Sequence, residues 1–281
     1  MRRHHHRYLL RLLALLILFL SVVALVACGN VGHEKNGGVS GDLAAMLQRF
    51  PEGSDYFQFV DVKSLRANRA LLEAYEDTKK NLESSFQDSG ISADDVDIMA
   101  TNAKATLLEG SFDLDSVSEK LEDNGYRHSE YQGIETWEGY RPVALLSRSC
   151  IVIGDKVDTV YGCIDVTMGN ANSLYGDADV KDVTGRLPST SLWIATYSAA
   201  VLQYREGLKV MAMAGIPKDV DTVHMTEVFL FRDEVAASSV MSDIGRDFTD
   251  DEYSSYDNVE VTRDGIYVTV TADLTSKNPT Q

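Results

Sequence analysis

The chain has 281 residues, with 43 acidic side chains against 26 basic ones, a net charge of −17 and a pI of about 4.7. So acidic a surface repels nucleic-acid phosphates and anionic lipid head groups, which argues against nucleic acid as a partner. The length suffices for one large domain or two small ones with real cores.

Arg2, Arg3, Arg7 and Arg11 open the chain, and no acid occurs before Glu34. From Leu12 to Ala27 the single polar residue is Ser21. At about 1.5 Å per residue this run spans roughly 24 Å, short for a bilayer core of about 30 Å and typical of a signal-peptide hydrophobic region. It ends in Leu25-Val26-Ala27-Cys28, followed by polar, Gly-rich sequence. These residues resemble the lipobox of bacterial lipoproteins: an aliphatic residue three places before a cysteine and a small one directly before it. The resemblance implies that signal peptide 1–27 is removed, that the Cys28 thiol carries diacylglycerol, and that the new amine is often acylated. Two or more acyl chains anchor stably where one is marginal. The alternative is an uncleaved helix, Leu9–Ala27, with Arg11 snorkelling at its end. Either way the expectation is a protein held at the cell membrane with its body on the extracytoplasmic side. Removing residues 1–27 takes four arginines and no acid, leaving 22 basic against 43 acidic residues and a charge of −21.

Residues 28–42, the lipidated cysteine and a Gly-rich stretch, read as a flexible tether. Phe50-Pro51-Glu52-Gly53 is a turn signal before an aromatic strand, Tyr56–Val62. Ser64 is placed to cap the next helix, on which Leu71, Tyr75, Leu82 and Phe86 share a face. Gly90–Asp97 breaks that helix. Lys104–Phe112 reads as a strand and Asp113–Tyr126 as a helix closed by Asn124-Gly125. Gly133–Trp137 and Val143–Ile153 read as strands, Lys156–Ile164 as a short helix, and 166–190 as irregular. Leu192–Tyr197 is the next strand, followed by a predicted helix over Ala199–Ala214. His224–Phe231 is a strand, Asp233–Phe248 a helix, and Val259–Thr262 and Ile266–Ala272 a hairpin turning at Asp264-Gly265. Residues 276–281 read as a tail.

Two GI…DVD stretches lie about 125 residues apart, each after a predicted helix and before a predicted strand. This suggests an α+β fold of two similar halves, 43–187 and 188–275, each in the order strand-helix-strand-helix-strand-strand, with mostly antiparallel sheets packed against helices. The aspartates of these stretches read as turn and capping residues rather than as cation ligands. Cys150, on a strand, and Cys163, on a short helix folding back over it, sit at matching distances along their elements. An oxidising compartment would permit a disulfide between them, and two buried free thiols is the alternative.

Motifs for chemistry are absent. There is no G-x-S-x-G, no phosphate-binding glycine loop, no dinucleotide fingerprint and no H-E-x-x-H. His33, His128 and His224 are not in metal-ligand spacing, so neither a metal nor a cofactor is expected. Tyr131, Trp137 and Tyr140 are the candidate binding edge. GISADDVD, the strand running into FDLDSV, and GIETW followed by CIVIG resemble uncharacterised envelope lipoproteins of unknown function. The expected function is therefore a membrane-anchored binding or scaffolding module of the cell envelope. It would contact an envelope protein or a small ligand and not be an enzyme. The alternative is an envelope hydrolase whose active site is assembled from distant residues.

Overall fold

A computed structural model describes residues 41–68, 71–202, 205–218, 222–249 and 256–275. The signal peptide, Cys28, nearly all of the tether and the tail lie outside the described residues. The elements run α1 (Gly41–Leu47), β1 (Tyr56–Asp61), α2 (Val62–Ala67), α3 (Leu72–Phe86), β2 (Val96–Thr101), β3 (Ala105–Gly110) and α4 (Leu114–Asp123). Then come β4 (Arg127–Tyr131), β5 (Ile134–Glu138), β6 (Val143–Ser147), β7 (Cys150–Gly154), α5 (Val157–Thr167) and α6 (Ala178–Gly185). The chain continues with β8 (Trp193–Ser198), α7 (Ala199–Leu202), β9 (Leu208–Pro217), β10 (Thr222–Phe231), α8 (Glu234–Thr249), β11 (Tyr256–Asp264) and β12 (Tyr267–Thr275).

All twelve strands form one antiparallel sheet in the order β11-β12-β10-β9-β8-β1-β2-β3-β7-β6-β5-β4. The expected pair of halves, each with its own sheet, is overturned; the α+β class stands. The physical reason is at the centre of the sheet. β1 and β8, expected to begin separate halves, pair directly, with Phe57 opposite Thr196 and Phe59 opposite Ile194. The core ignores the expected boundary as well. On one face, here the front, a single apolar cluster joins Phe57, Leu107 and Val152 to Ile194, Ala212 and Val228. Helices α1, α5 and α6 supply Met46, Ile164 and Val183 to it. On the back, α2, α3 and α4 cover one end of the sheet and α8 the other.

The helix predicted over Ala199–Ala214 is a second correction. Among the described residues of that span only α7 is helical, and Leu208–Pro217 is strand β9. Gly207, at φ 78°, turns the chain between them. Residues 210–215 of β9 are buried without interruption, because this part of the sheet is covered on both faces. A strand buried on both sides shows no alternation, so period alone does not separate it from a helix. Strand β2 is not among the expected elements, and only its first two residues fall within the helix break expected at Gly90–Asp97. A capped turn over Ala93–Asp95 leads straight into it, and its burial alternates as a one-side-covered strand should. Gly110 makes that corner possible, since a Cβ there would lie 1.9 Å from the Asp95 carbonyl oxygen.

Elsewhere local chemistry explains the elements. The cap of α2 is Asp61, not Ser64; Ser64 donates to the Asp61 carboxylate from its N–H (2.8 Å) and its hydroxyl (2.6 Å). Leu71, Tyr75, Leu82 and Phe86 are buried together along α3. Within the segment expected to be irregular, Asp177 caps helix α6 by accepting from the N–H groups of Asp179 and Val180. Strands β4 and β11 are the two edges of the sheet. They present Arg127, Glu130, Asp257, Glu260 and Arg263 to solvent, charges that oppose edge-to-edge pairing.

Candidate functional site

A cavity of about 340 Å³ opens at one end of the central strands. Three segments wall it: the turn leading into β1 (Pro51–Tyr56), the β2–β3 turn (Asn102–Lys104), and the first two turns of α5 with the lysine before it (Lys156–Cys163). Short-range bonds hold each wall. Gly53 takes φ 81° in the first turn, and the Ser54 hydroxyl donates to the Pro51 carbonyl (3.1 Å). Asn102 accepts from the N–H groups of Lys104 (2.8 Å) and Ala105 (2.7 Å), an Asx turn that closes the β2–β3 hairpin. Its side-chain amide also donates to Ser54 Oγ (3.1 Å), tying the two turns together. The Asp155 N–H donates to the Lys104 carbonyl (2.8 Å), and Thr159 donates to the Asp155 carboxylate (2.5 Å). Asp55 accepts from the Ser198 hydroxyl (2.6 Å). The neutral polar side chains of the cavity thus have partners within the protein, while the charged Glu52, Lys104, Lys156 and Asp158 have none among the described residues.

Cys163 closes one side of this cavity and is itself fully buried. Cys150 and Cys163 are two free thiols in the front core, not a bridge. Helix α5 does fold back on β7 as expected. Burial pushes Cys163 up to about 12, with Cys150 nearby adding to the effect. Burial also pushes Cys150 up to about 11, against the opposing pull of Arg49, whose guanidinium donates to the Cys150 sulfur (3.4 Å) and to Glu109 (3.3 Å).

The three aromatics of the expected binding edge are dispersed. Tyr131 stacks on Tyr161 of α5 with centroids 3.9 Å apart and donates to Asp165 (3.1 Å). Trp137 lies in the back core, 5% exposed, its indole N–H donating to Glu135 (2.8 Å). Tyr140, in the β5–β6 turn, is 90% exposed. The first GI…DVD stretch is likewise structural: Ile91 is buried, Asp94 accepts from Tyr75 and Lys79, and Asp97 pairs with Arg66 and Lys63. In the second, Gly215 and Ile216 belong to β9, while Asp219 and Asp221 lie outside the described residues.

Two polar groupings escaped the sequence reading. His224 and Asp273 are register partners on β10 and β12, with Nδ1 of the imidazole 2.8 Å from the carboxylate. Lys218 (2.8 Å) and Asn258 (2.8 Å) also donate to Asp273. Asn258 reaches it from a bulge in β11, at φ 54°. Burial alone would raise the Asp273 carboxyl, but bonds from Lys218, Asn258 and His224 outweigh it and hold the group down at about 2. On the back of the sheet, Glu227 is 8% exposed among apolar residues of β9 and β12. Its desolvation exceeds the attraction of Arg205 and pushes it up to about 7. Period two along β10 puts this acid in line with Met225 and Phe229, and that mismatch was the signal in the sequence.

No known family model matches the chain, and no solved structure matches it. An uncharacterised protein of Methanocaldococcus jannaschii is 25% identical over 177 residues, 59% of this chain. The match covers about 60% of the length of that relative.

Proposed function

We propose that this chain is a lipid-anchored, extracytoplasmic protein that acts as a binding module for a small ligand. The single observation that carries the binding reading is the cavity of about 340 Å³, whose volume falls within the range of about 300–1,000 Å³ usual for ligand sites. Location rests on the sequence: the basic start, the short apolar run and the Leu25–Cys28 lipobox, followed by a Gly-rich tether. The charge of the chain supports a soluble body that stands off a negatively charged bilayer. The second reading, an envelope hydrolase, draws on the contact between His224 and Asp273, since a histidine oriented through Nδ1 by a buried carboxylate leaves Nε2 to move a proton.

The anchor is tested by expressing the full chain with labelled palmitate and separating membranes. Wild type labels and sediments with the membrane; Cys28→Ala loses the label. Undiminished labelling of Cys28→Ala would refute the lipoprotein reading. Binding is tested by native mass spectrometry of the full chain released from detergent. An added mass of a few hundred daltons, lost on activation, is the expected result.

A further inference from the structure

We propose that the cavity takes a small zwitterion, one that carries both a carboxylate and an ammonium, such as a free amino acid or a short peptide with free termini. This deepens the binding reading above and rests on it.

The lysines carry the argument. The chain has a net charge of −17, and acids are plentiful around its lysines. Lys63, Lys79, Lys80, Lys209 and Lys218 each pair with a carboxylate, and Lys181 sits over the Tyr175 ring. Among the described residues, Lys104, Lys120 and Lys156 form no such pair, and Lys104 and Lys156 both line the cavity. They come from different walls, the β2–β3 turn and the residue that precedes α5. Two exposed lysines lining one concave space, neither of them paired, offer a carboxylate or another anion two cationic partners.

The same cavity holds acids in the same condition. Glu52, from the turn before β1, and Asp158, from the first turn of α5, also line it and carry no ion pair or side-chain hydrogen bond among the described residues. Neither comes within ion-pair distance of Lys104 or Lys156, so the opposite charges face the cavity without quenching one another. A simple anion would leave the two acids unanswered, and a simple cation would leave the two lysines so. A ligand bearing both charges answers all four.

Size and lining agree. A cavity of about 340 Å³ lies at the lower end of the range of about 300–1,000 Å³ usual for small-ligand sites, which suits a ligand as small as alanyl-alanine. The apolar lining comes from Pro51, Gly53, Tyr56, Ala103, Gly162 and Cys163, which favours small side chains. The neutral polar side chains already have partners, Asn102 with Ser54, Thr159 with Asp155 and Tyr56 with Gln58, and the third acid of the lining, Asp55, accepts from Ser198, so recognition falls on the ligand's charged ends.

The experiment is isothermal titration of the full chain in detergent with alanyl-alanine, its N-acetyl derivative, its C-terminal amide, the doubly blocked form, and inorganic phosphate. The zwitterion is expected to bind, and each single block to weaken it about tenfold. Lys104→Gln and Lys156→Gln should weaken the zwitterion while leaving the amide unaffected. Glu52→Gln and Asp158→Asn should do the converse with the acetylated form. All four side chains are at the surface, and unchanged thermal unfolding would show that the variants are folded. Equal binding of the doubly blocked peptide, or of phosphate, would overturn the zwitterion assignment. A dipeptide that fails to bind, beside a retained neutral ligand in the native mass spectrum, would overturn the assignment and leave the binding reading intact. A dipeptide that fails to bind, beside a clean apo mass, would overturn both.

Discussion

Replacing Glu227 with Gln should change how stability depends on pH. Glu227 lies on β10 between Met213 of β9 and Val270 of β12, 8% exposed. Its carboxyl moves from 4.5 in the unfolded chain to about 7 in the folded one, chiefly through burial. Below pH 4.5 it is protonated in both states and contributes no pH dependence. Between pH 4.5 and 7 the unfolded chain releases the proton and the folded chain keeps it. Stability then falls with rising pH at about 1.4 kcal/mol per unit. Over this window of about 2.5 units the loss reaches about 3 kcal/mol, and above pH 7 it is constant. Gln keeps the shape and cannot ionise, so Glu227→Gln should gain stability over wild type as pH rises. The two proteins should differ by about 3 kcal/mol more at pH 8 than at pH 4. The attraction of Arg205 is already contained in the value of about 7, so it does not change that difference. Urea unfolding of both proteins at half-unit steps from pH 4 to pH 8 measures it. Parallel curves across the whole range would refute the reasoning, since they would mean that Glu227 ionises in the folded chain as freely as in the unfolded one.

Asp273 runs the opposite way. Its folded carboxyl is held at about 2 against 3.8 unfolded, so its contribution is complete above pH 4 and lost as pH falls toward 2. Asp273→Asn should cost about 2 kcal/mol at pH 7 and flatten acid unfolding below pH 4, as read by urea midpoints; an unchanged acid limb would contradict this. The same variant bears on the hydrolase reading, which predicts that wild type cleaves p-nitrophenyl esters and Asp273→Asn does not. Equal rates in the two proteins would end that reading. For the cysteines, thiols pushed up to about 11 and 12 are almost wholly protonated at pH 7 and poor nucleophiles. Native protein treated with iodoacetamide should stay unlabelled at Cys150 and Cys163, and denatured protein should label at both. Rapid native labelling would count against their burial. An intact mass two daltons low, with no labelling after denaturation, would show the bridge instead of the free thiols.

The aromatic strand at Tyr56, the buried face of α3, the helix stop at Asn124-Gly125 and the turn at Gly265 were all legible in the sequence. Each depends on neighbours within a few residues: a period, a cap or a positive φ. The N-terminal run belongs to the same kind, because a basic start, an apolar stretch and a small residue before Cys28 are local patterns. Strand β9 was not legible, because its burial on both faces comes from α6 in front and from the back core behind, and neither is nearby in sequence. The pairing of β1 with β8 brings together residues more than 130 positions apart, and no local rule favours one continuous sheet over two. The candidate site divides in the same way. The turn at Pro51–Gly53 and the helix start at Lys156 carried local signals and the turn at Asn102 was not read, yet nothing in the sequence says that Lys104, Lys156, Glu52 and Asp158 share one cavity. His224 and Asp273 likewise meet only because β10 and β12 are neighbours in the sheet. Short-range physics, in which each residue constrains its own few neighbours, set the elements of this protein. Long-range strand pairing, which local sequence does not encode, decided which side chains meet and which share one cavity.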